Sequence, residues 1–353
     1  MAAPLRGLHS LASFPHIVLW PAELEREDLK SKAANLQNRS ALLTESHRLA
    51  RRSTLRRSDC ATLRLMSSEV VRSVAEYLST ISGIRKAWNT PKHHELWFRA
   101  EDRLHHKTRL QPGIYRPNES SGKRKPVRKL LELENDLYEE FGRCSAQLSD
   151  LKSNHDDWEW DSYFLMQHHG VPTRLLDWSD GGLIALHFAV RDKAIPPKTS
   201  SIIYVLDPYW LMRYLDEHRD RKAAKARWKQ FWRKNPHEVY EDDWDRLYLP
   251  SDEDDFKDPL LATPETPILW DSPHVTRRVA AQRSRFMIFG TDPLFLTRLE
   301  KEKGSRLVPI RVPVGSVSRI KQELKDAGIT ESVVYPDLDG LGRELNQAWR
   351  SRR

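Results

Sequence analysis

Within residues 167–179 the chain sets Gln167, two adjacent histidines, Thr173, Arg174 and Asp177 around a Gly170-Val171-Pro172 turn. Each of these side chains has a use at a site. His168 is a loop-borne imidazole that donates or accepts a hydrogen bond near neutral pH. Thr173 offers a hydroxyl and Asp177 an acceptor-only carboxylate. Arg174 offers a planar fork of donors that matches a phosphate or a carboxylate. Architecture explains part of the same stretch. Arg174 and Asp177 are close enough in sequence to pair, and Thr173 suits the N-cap of a helix beginning at Arg174. The expectation is therefore that Arg174 and Asp177 buttress a site, while His168 and Thr173 touch its ligand.

Three further segments carry suitable groups. Arg99 follows Trp97 and Phe98 on an expected strand. It either pairs with a carboxylate at the strand end or clamps an anionic ligand. Gln282 precedes an expected strand over 285–290, where its amide suits a sugar hydroxyl, a carboxamide or backbone groups. Arg99, His168, Thr173 and Gln282 form the expected catalytic set. Arg116, Gln167, Arg174, Asp177, Trp178 and Arg278 form the ligand-binding or supporting set. Asp337, Asp339 and Gly340 read first as a turn and a helix N-terminus, where aspartates complement the dipole. No metal site is expected. His93-His94, His105-His106 and His168-His169 are adjacent pairs whose side chains diverge, and no Cys-x-x-Cys or His-Glu-x-x-His occurs. Phosphate-loop, dinucleotide and nucleophile-elbow signatures are also missing.

The elements that must position these groups read as α+β. A helix is expected after Ser67 or Ser68, with Val70, Val71, Val74, Leu78 and Ile81 on one face and Gly83 at its end. A second helix is expected over 130–148. A buried strand is expected over 201–207, and further strands over 285–290 and 307–312. A helix over 209–234, rich in Arg, Lys and Trp, precedes an acidic stretch over 238–258. Together they read as a charged insertion, about 209–265, on the domain surface. Helices over 316–327 and 341–350 close the chain. Residues 1–65 read as a basic helical extension with an arginine run near 48–57, and the first 22 residues as an ordinary N-terminus rather than a targeting signal.

Composition bounds the partners. The 353 residues carry 58 Lys and Arg against 50 Asp and Glu, a net charge of +8. That balance favours an anionic partner such as a nucleotide, nucleic acid or an acidic protein surface. Cys60 and Cys144 are the two cysteines, so a reducing, cytoplasmic setting without a disulfide framework is expected. No apolar stretch approaches the roughly 20 residues of a membrane span.

Several segments recur together in a known order. They are Trp97-Phe98-Arg99-Ala100, Leu110-Gln111-Pro112-Gly113-Ile114-Tyr115-Arg116, the 167–178 stretch, Ala185-Leu186-His187-Phe188-Ala189, Pro273-His274 with 278–286, and Tyr335-Pro336-Asp337-Leu338-Asp339-Gly340. In this order they resemble the FRG-domain family, named for a Phe/Tyr-Arg-Gly motif near the start of the domain. The resemblance spans roughly residues 66–349 and implies a single FRG-like domain of short mixed strands with surrounding helices. Ala100 and Ser284 depart from it, each adding a side chain where the family has glycine. An early-strand arginine, a central Thr/His motif and a late Gln are similar in order to ADP-ribosyltransferases, which bind NAD. The resemblance thus implies a nucleotide-binding, ADP-ribosyltransferase-like effector in a bacterial toxin or anti-phage setting. A non-catalytic module that binds nucleic acid or protein is the alternative, motivated by the net charge and the basic helices.

Overall fold

The computed structural model describes residues 69–101, 108–118, 120–145, 158–191, 200–234, 243–251, 258–271 and 276–350, with Arg352. The expected 1–65 extension, His105, His106, His274 and the acidic run at 252–255 lie outside the described residues.

Among the described residues, seven strands build one mixed sheet. They are β1 (Glu69–Val70), β2 (Trp97–Glu101), β3 (Leu175–Ser179), β4 (Ser201–Leu206), β5 (Ile268–Trp270), β6 (Ser284–Ile288) and β7 (Leu307–Val312). The order across the sheet is β1-β7-β4-β2-β3-β6-β5. Only β1 and β7 pair in parallel; the other neighbours are antiparallel. β4, with the sequence Ser-Ile-Ile-Tyr-Val-Leu, is buried along its whole length, as an apolar β-branched run between two partners should be. With helices on both faces, the α+β expectation holds.

One face of the sheet carries a single core. Trp97, Leu176, Trp178, Tyr204, Leu206 and Met287 pack there against α5 (Pro208–Glu217) and α8 (Phe295–Leu299). The other face carries two. Over β4 and β7, Phe98, Ile203, Val205 and Ile310 meet α1 (Val74–Trp88), α4 (Gly182–Val190) and α9 (Val317–Asp326). Over β3, β5 and β6, Leu175, Phe286, Ile288 and Trp270 meet α3 (Trp158–His168), α6 (Arg219–Lys234) and the 3-10 turn Trp244–Tyr248. The two clusters part above the junction of β2 and β3.

Several boundaries differ from expectation for local reasons. α1 begins at Val74 because Ser73, not Ser67 or Ser68, caps it: its Oγ accepts from Glu76 N at 3.1 Å. Glu69 and Val70 join the sheet instead, and Gly83 lies inside a helix that ends at a left-handed Asn89. α2 (Val127–Ser145) starts three residues before the expected 130. The helix expected over 209–234 is two, α5 and α6, separated at His218. The 209–265 region is also more than a surface elaboration. Leu211 and Leu215 enter one core, and Ala224, Trp228, Trp244, Leu247 and Tyr248 enter another. Among the described residues no helix is long and apolar enough to cross a membrane.

Candidate functional site

The ladder between β2 and β3 is almost absent. It holds one register pair, Phe98 with Ser179, whereas β2 with β4 and β3 with β6 run five pairs each. Beyond that pair the strands diverge, and Arg99, Ala100 and Glu101 face Trp178 and Asp177 across a gap. A cleft of about 380 Å³ opens there, within the range of small-ligand sites. The ends of α3 and α4, the short helix α7 (Arg277–Gln282) and Tyr335 complete its lining.

Arg99 spans the gap. Its Nη1 donates to the Asp177 carbonyl at 2.6 Å, taking up an acceptor that the broken ladder leaves free. Its Nε donates at 2.6 Å to Glu101, two residues along the same strand face. Glu101 is buried, accepts from Leu110 N at 3.2 Å and lies 3.9 Å from Arg116 Nη2. Burial, and then Arg99, pull the Arg116 guanidinium below its ordinary range. Glu101 is thus the buried counter-charge that lets two arginines share the floor of the cleft.

Asp177 is the solvent-facing carboxylate of the lining. Gln167 Nε2 donates to its Oδ2 at 3.1 Å, and Thr173 Oγ1 donates to Gln167 Oε1 at 2.5 Å. The Thr173 oxygen also accepts from Leu175 N at 3.1 Å. Thr173 is completely buried and forms no part of the cleft lining. The expected ligand contact is therefore a positioning residue that orients Gln167. Nor does it cap a helix, since a strand follows it.

Arg174 corrects a second expectation. Positions 174 and 177 are three apart on extended chain, so their side chains leave opposite faces and cannot pair. The partner is Glu134 of α2, whose Oε2 accepts from Arg174 Nε at 2.5 Å, with both side chains within 2% of full burial. Burial opposes the charge, and Glu134 more than restores it, so the guanidinium stays ionised. Glu134 Oε1 also accepts from Arg174 N at 2.6 Å and from Tyr163 Oη at 2.5 Å. Arg174 Nη2 reaches the Tyr248 carbonyl at 2.9 Å. Arg174 is therefore architecture, tying β3 to α2 and to the Trp244–Tyr248 turn.

His168 ends α3 on the rim of the cleft. Burial, then Arg278 and His169, push its pKa below the usual imidazole range, so it is a neutral ring at pH 7. Gly170 takes φ +81°, the left-handed conformation that turns the chain from α3 toward β3. Gln282 is the last residue of α7 rather than the start of a strand. Its Nε2 donates to the Val334 carbonyl at 3.3 Å, and its own carbonyl accepts from Ser179 Oγ at 2.7 Å. Trp178 is buried, lines the cleft and leaves its indole N–H without a partner among the described residues. Ala100 and Ser284 both face the same cleft.

Arg99, Arg116, Gln167, His168, Asp177, Trp178, Arg278 and Gln282 thus converge, and Thr173 and Arg174 support from behind. Sequence reasoning missed Ser179, Glu101, Glu134, Arg191 and Tyr335. Ser179 had a signal, because it lies two residues after Asp177 on the same strand face. Arg191 directly follows the apolar 183–190 run. Glu134 had none, because a glutamate on a charged helix does not announce a partner forty positions away. Among the described residues no cluster of three or more His, Cys, Asp or Glu could hold a metal ion.

No curated protein and no solved structure matches the chain. A family model does: the FRG domain matches residues 94–196. That span contains β2, α3, β3 and α4, and so both walls of the gap, while α7 and Tyr335 lie beyond it. Residues 94–196, a little under a third of the chain, are thus similar to the FRG domain.

Proposed function

We propose that the gap between β2 and β3 binds a nucleotide, with NAD as the substrate, and that the chain is an ADP-ribosyltransferase-like enzyme. One observation carries this reading: four arginines (Arg99, Arg116, Arg191, Arg278) and a solvent-facing carboxylate, Asp177, line a single cleft at a break in the sheet. Guanidinium groups suit the phosphates of a dinucleotide. The order of Arg99 on β2, a hydroxyl on β3 and Gln282 before β6 supports the same reading, with Ser179 rather than Thr173 as the hydroxyl in the cleft.

Bound NAD would supply a ribosyl carbon that becomes oxocarbenium-like as nicotinamide leaves. Preorganised negative charge stabilises such a centre. Gln282 is neutral and its amide is taken up by Val334, so this role falls to Asp177, aimed by Gln167 and Thr173. Neutral His168 is placed to accept a hydrogen bond from a sugar hydroxyl. Calorimetric titration of NAD into the full chain, with Arg99→Ala as control and circular dichroism to confirm folding, tests binding. Asp177→Asn should bind NAD and release no nicotinamide. A folded wild-type chain that binds no NAD ends this reading.

The family resemblance adds a cytoplasmic bacterial toxin or anti-phage setting. Induced expression in a bacterium should then arrest growth with wild type and not with Asp177→Asn. A second reading rests on α6, where Arg219, Lys222, Lys229, Arg233 and Lys234 are exposed. A nucleic-acid contact there would weaken steeply with salt, and a flat salt response would remove it.

A further inference from the structure

Where α7 closes the cleft, three guanidinium groups surround one phenol ring. The Cζ atoms of Arg191, Arg278 and Arg343 lie 4.5, 4.8 and 4.8 Å from the Tyr335 ring centroid. A single buried carboxylate, Glu331, serves two of them: it accepts from Arg191 Nη2 at 3.0 Å and from Arg343 Nε at 2.7 Å. His187 Nε2 lies 3.2 Å from its other oxygen. Arg191 Nη1 also donates to Tyr335 Oη at 2.6 Å. Arg278 is different. Among the described residues no carboxylate or carbonyl accepts from it, and its contact is the face of Tyr335. An aromatic ring attracts a cation but takes up none of the hydrogen-bonding capacity that five N–H groups offer. Three like charges around a ring, opposed by Glu331 and the nearby Asp337, leave a local positive excess. Arg191, Arg278 and Tyr335 line the same cleft as Asp177.

We infer that Arg278 and Arg191, held on the Tyr335 ring, form the seat for the phosphoryl groups of the ligand. This rests on the nucleotide reading above and assigns the ends of the cleft: phosphates at the Tyr335 end, the reacting sugar beside Asp177. A phosphoryl group supplies the multiple charged acceptors that the donors of Arg278 lack. The turn after Tyr335 is built to fix the ring. The Gly340 N–H donates to Asp337 Oδ1 at 2.6 Å, and a Cβ on Gly340 would stand 2.0 Å from the Tyr335 carbonyl. The Tyr335-Pro336-Asp337-Leu338-Asp339-Gly340 segment thus serves the cleft by placing Tyr335.

The test is calorimetry on the full chain with ADP, adenosine and inorganic pyrophosphate, for wild type, Arg278→Ala and Arg278→Lys. Arg278 is half-buried in the first turn of α7, and the Thr276 cap on Val279 N at 3.1 Å does not involve it, so the variants should fold, as thermal melts will verify. Wild type should bind ADP more tightly than adenosine. Arg278→Ala should weaken ADP by about 10–100-fold, leave adenosine unchanged and abolish pyrophosphate competition, with partial recovery in Arg278→Lys. ADP bound equally by wild type and Arg278→Ala overturns the seat and leaves the nucleotide reading intact. Arg278-dependent binding of pyrophosphate without any binding of ADP supports the seat as a free-phosphate site and overturns the nucleotide reading.

Discussion

Glu134→Ala should destabilise the protein by stranding a buried charge behind the site. In the native chain Glu134 accepts three hydrogen bonds, from Arg174 Nε, Arg174 N and Tyr163 Oη, and none of the groups is accessible to water. Truncation leaves the Arg174 guanidinium buried with the Tyr248 carbonyl as its remaining acceptor. Breaking a buried ion pair by removing one partner costs about 3–5 kcal/mol. At about 2–4 °C per kcal/mol for a domain of this size, the melting temperature should fall by about 6–20 °C. Because Arg174 N sits at the start of β3, the strand carrying Asp177 and Ser179 should lose its anchor as well. Thermal denaturation followed by circular dichroism measures the shift. The double variant Glu134→Leu with Arg174→Met removes both charges and should recover most of it, since an apolar pair of similar volume replaces an ion pair at little cost. A shift under about 2 °C in Glu134→Ala, or a double variant worse than the single, would refute the assignment of Arg174 as a buried strut.

Thr173→Val keeps shape and removes one hydroxyl that serves Gln167 and Leu175 N; it should cost about 1–3 kcal/mol and lower turnover more than nucleotide affinity, read from melts and kinetics. Gly340→Ala should destabilise by about 1–3 kcal/mol and displace Tyr335, seen as a change in near-ultraviolet circular dichroism. His168 carries a pH signature. Its folded pKa lies below its unfolded value of about 6.5, so its contribution is complete above that pH and is lost as pH falls through the folded pKa. His168→Gln should accordingly flatten the loss of melting temperature as pH falls below about 6.5, and an unchanged slope would contradict this.

Much of the fold was legible because it is local. The runs expected as strands over 201–207 and 307–312 both formed, the first buried along its length. The start of α1 was misplaced because apolar residues from Val70 onward suggested a cap at Ser67 or Ser68; Val70 joins the sheet instead, and Ser73 caps the helix with Glu76 three residues later. The candidate site was legible as a set of residues and illegible in its division of labour. Arg174 and Asp177 read as a buttressing pair and Thr173 as a ligand contact, whereas Arg174 pairs with Glu134, Asp177 lines the cleft and Thr173 lies behind it. Only the strand that begins at Leu175 sends Arg174 and Asp177 to opposite faces. The gap between β2 and β3 has no sequence signal, because it arises from ladder pairs that do not form between strands more than seventy residues apart. Tyr335 was quoted within a motif, but its three guanidinium neighbours come from the residue after α4, from α7 and from the helix Leu338–Arg350, and meet only in the folded chain.

The most direct test is a crystal structure of the wild-type chain with ADP-ribose. Density should lie between β2 and β3, with the diphosphate on Arg278 and Arg191 and the terminal ribose beside Asp177. Density confined to the exposed face of α6, or a cleft left empty at saturating ligand, would contradict the account.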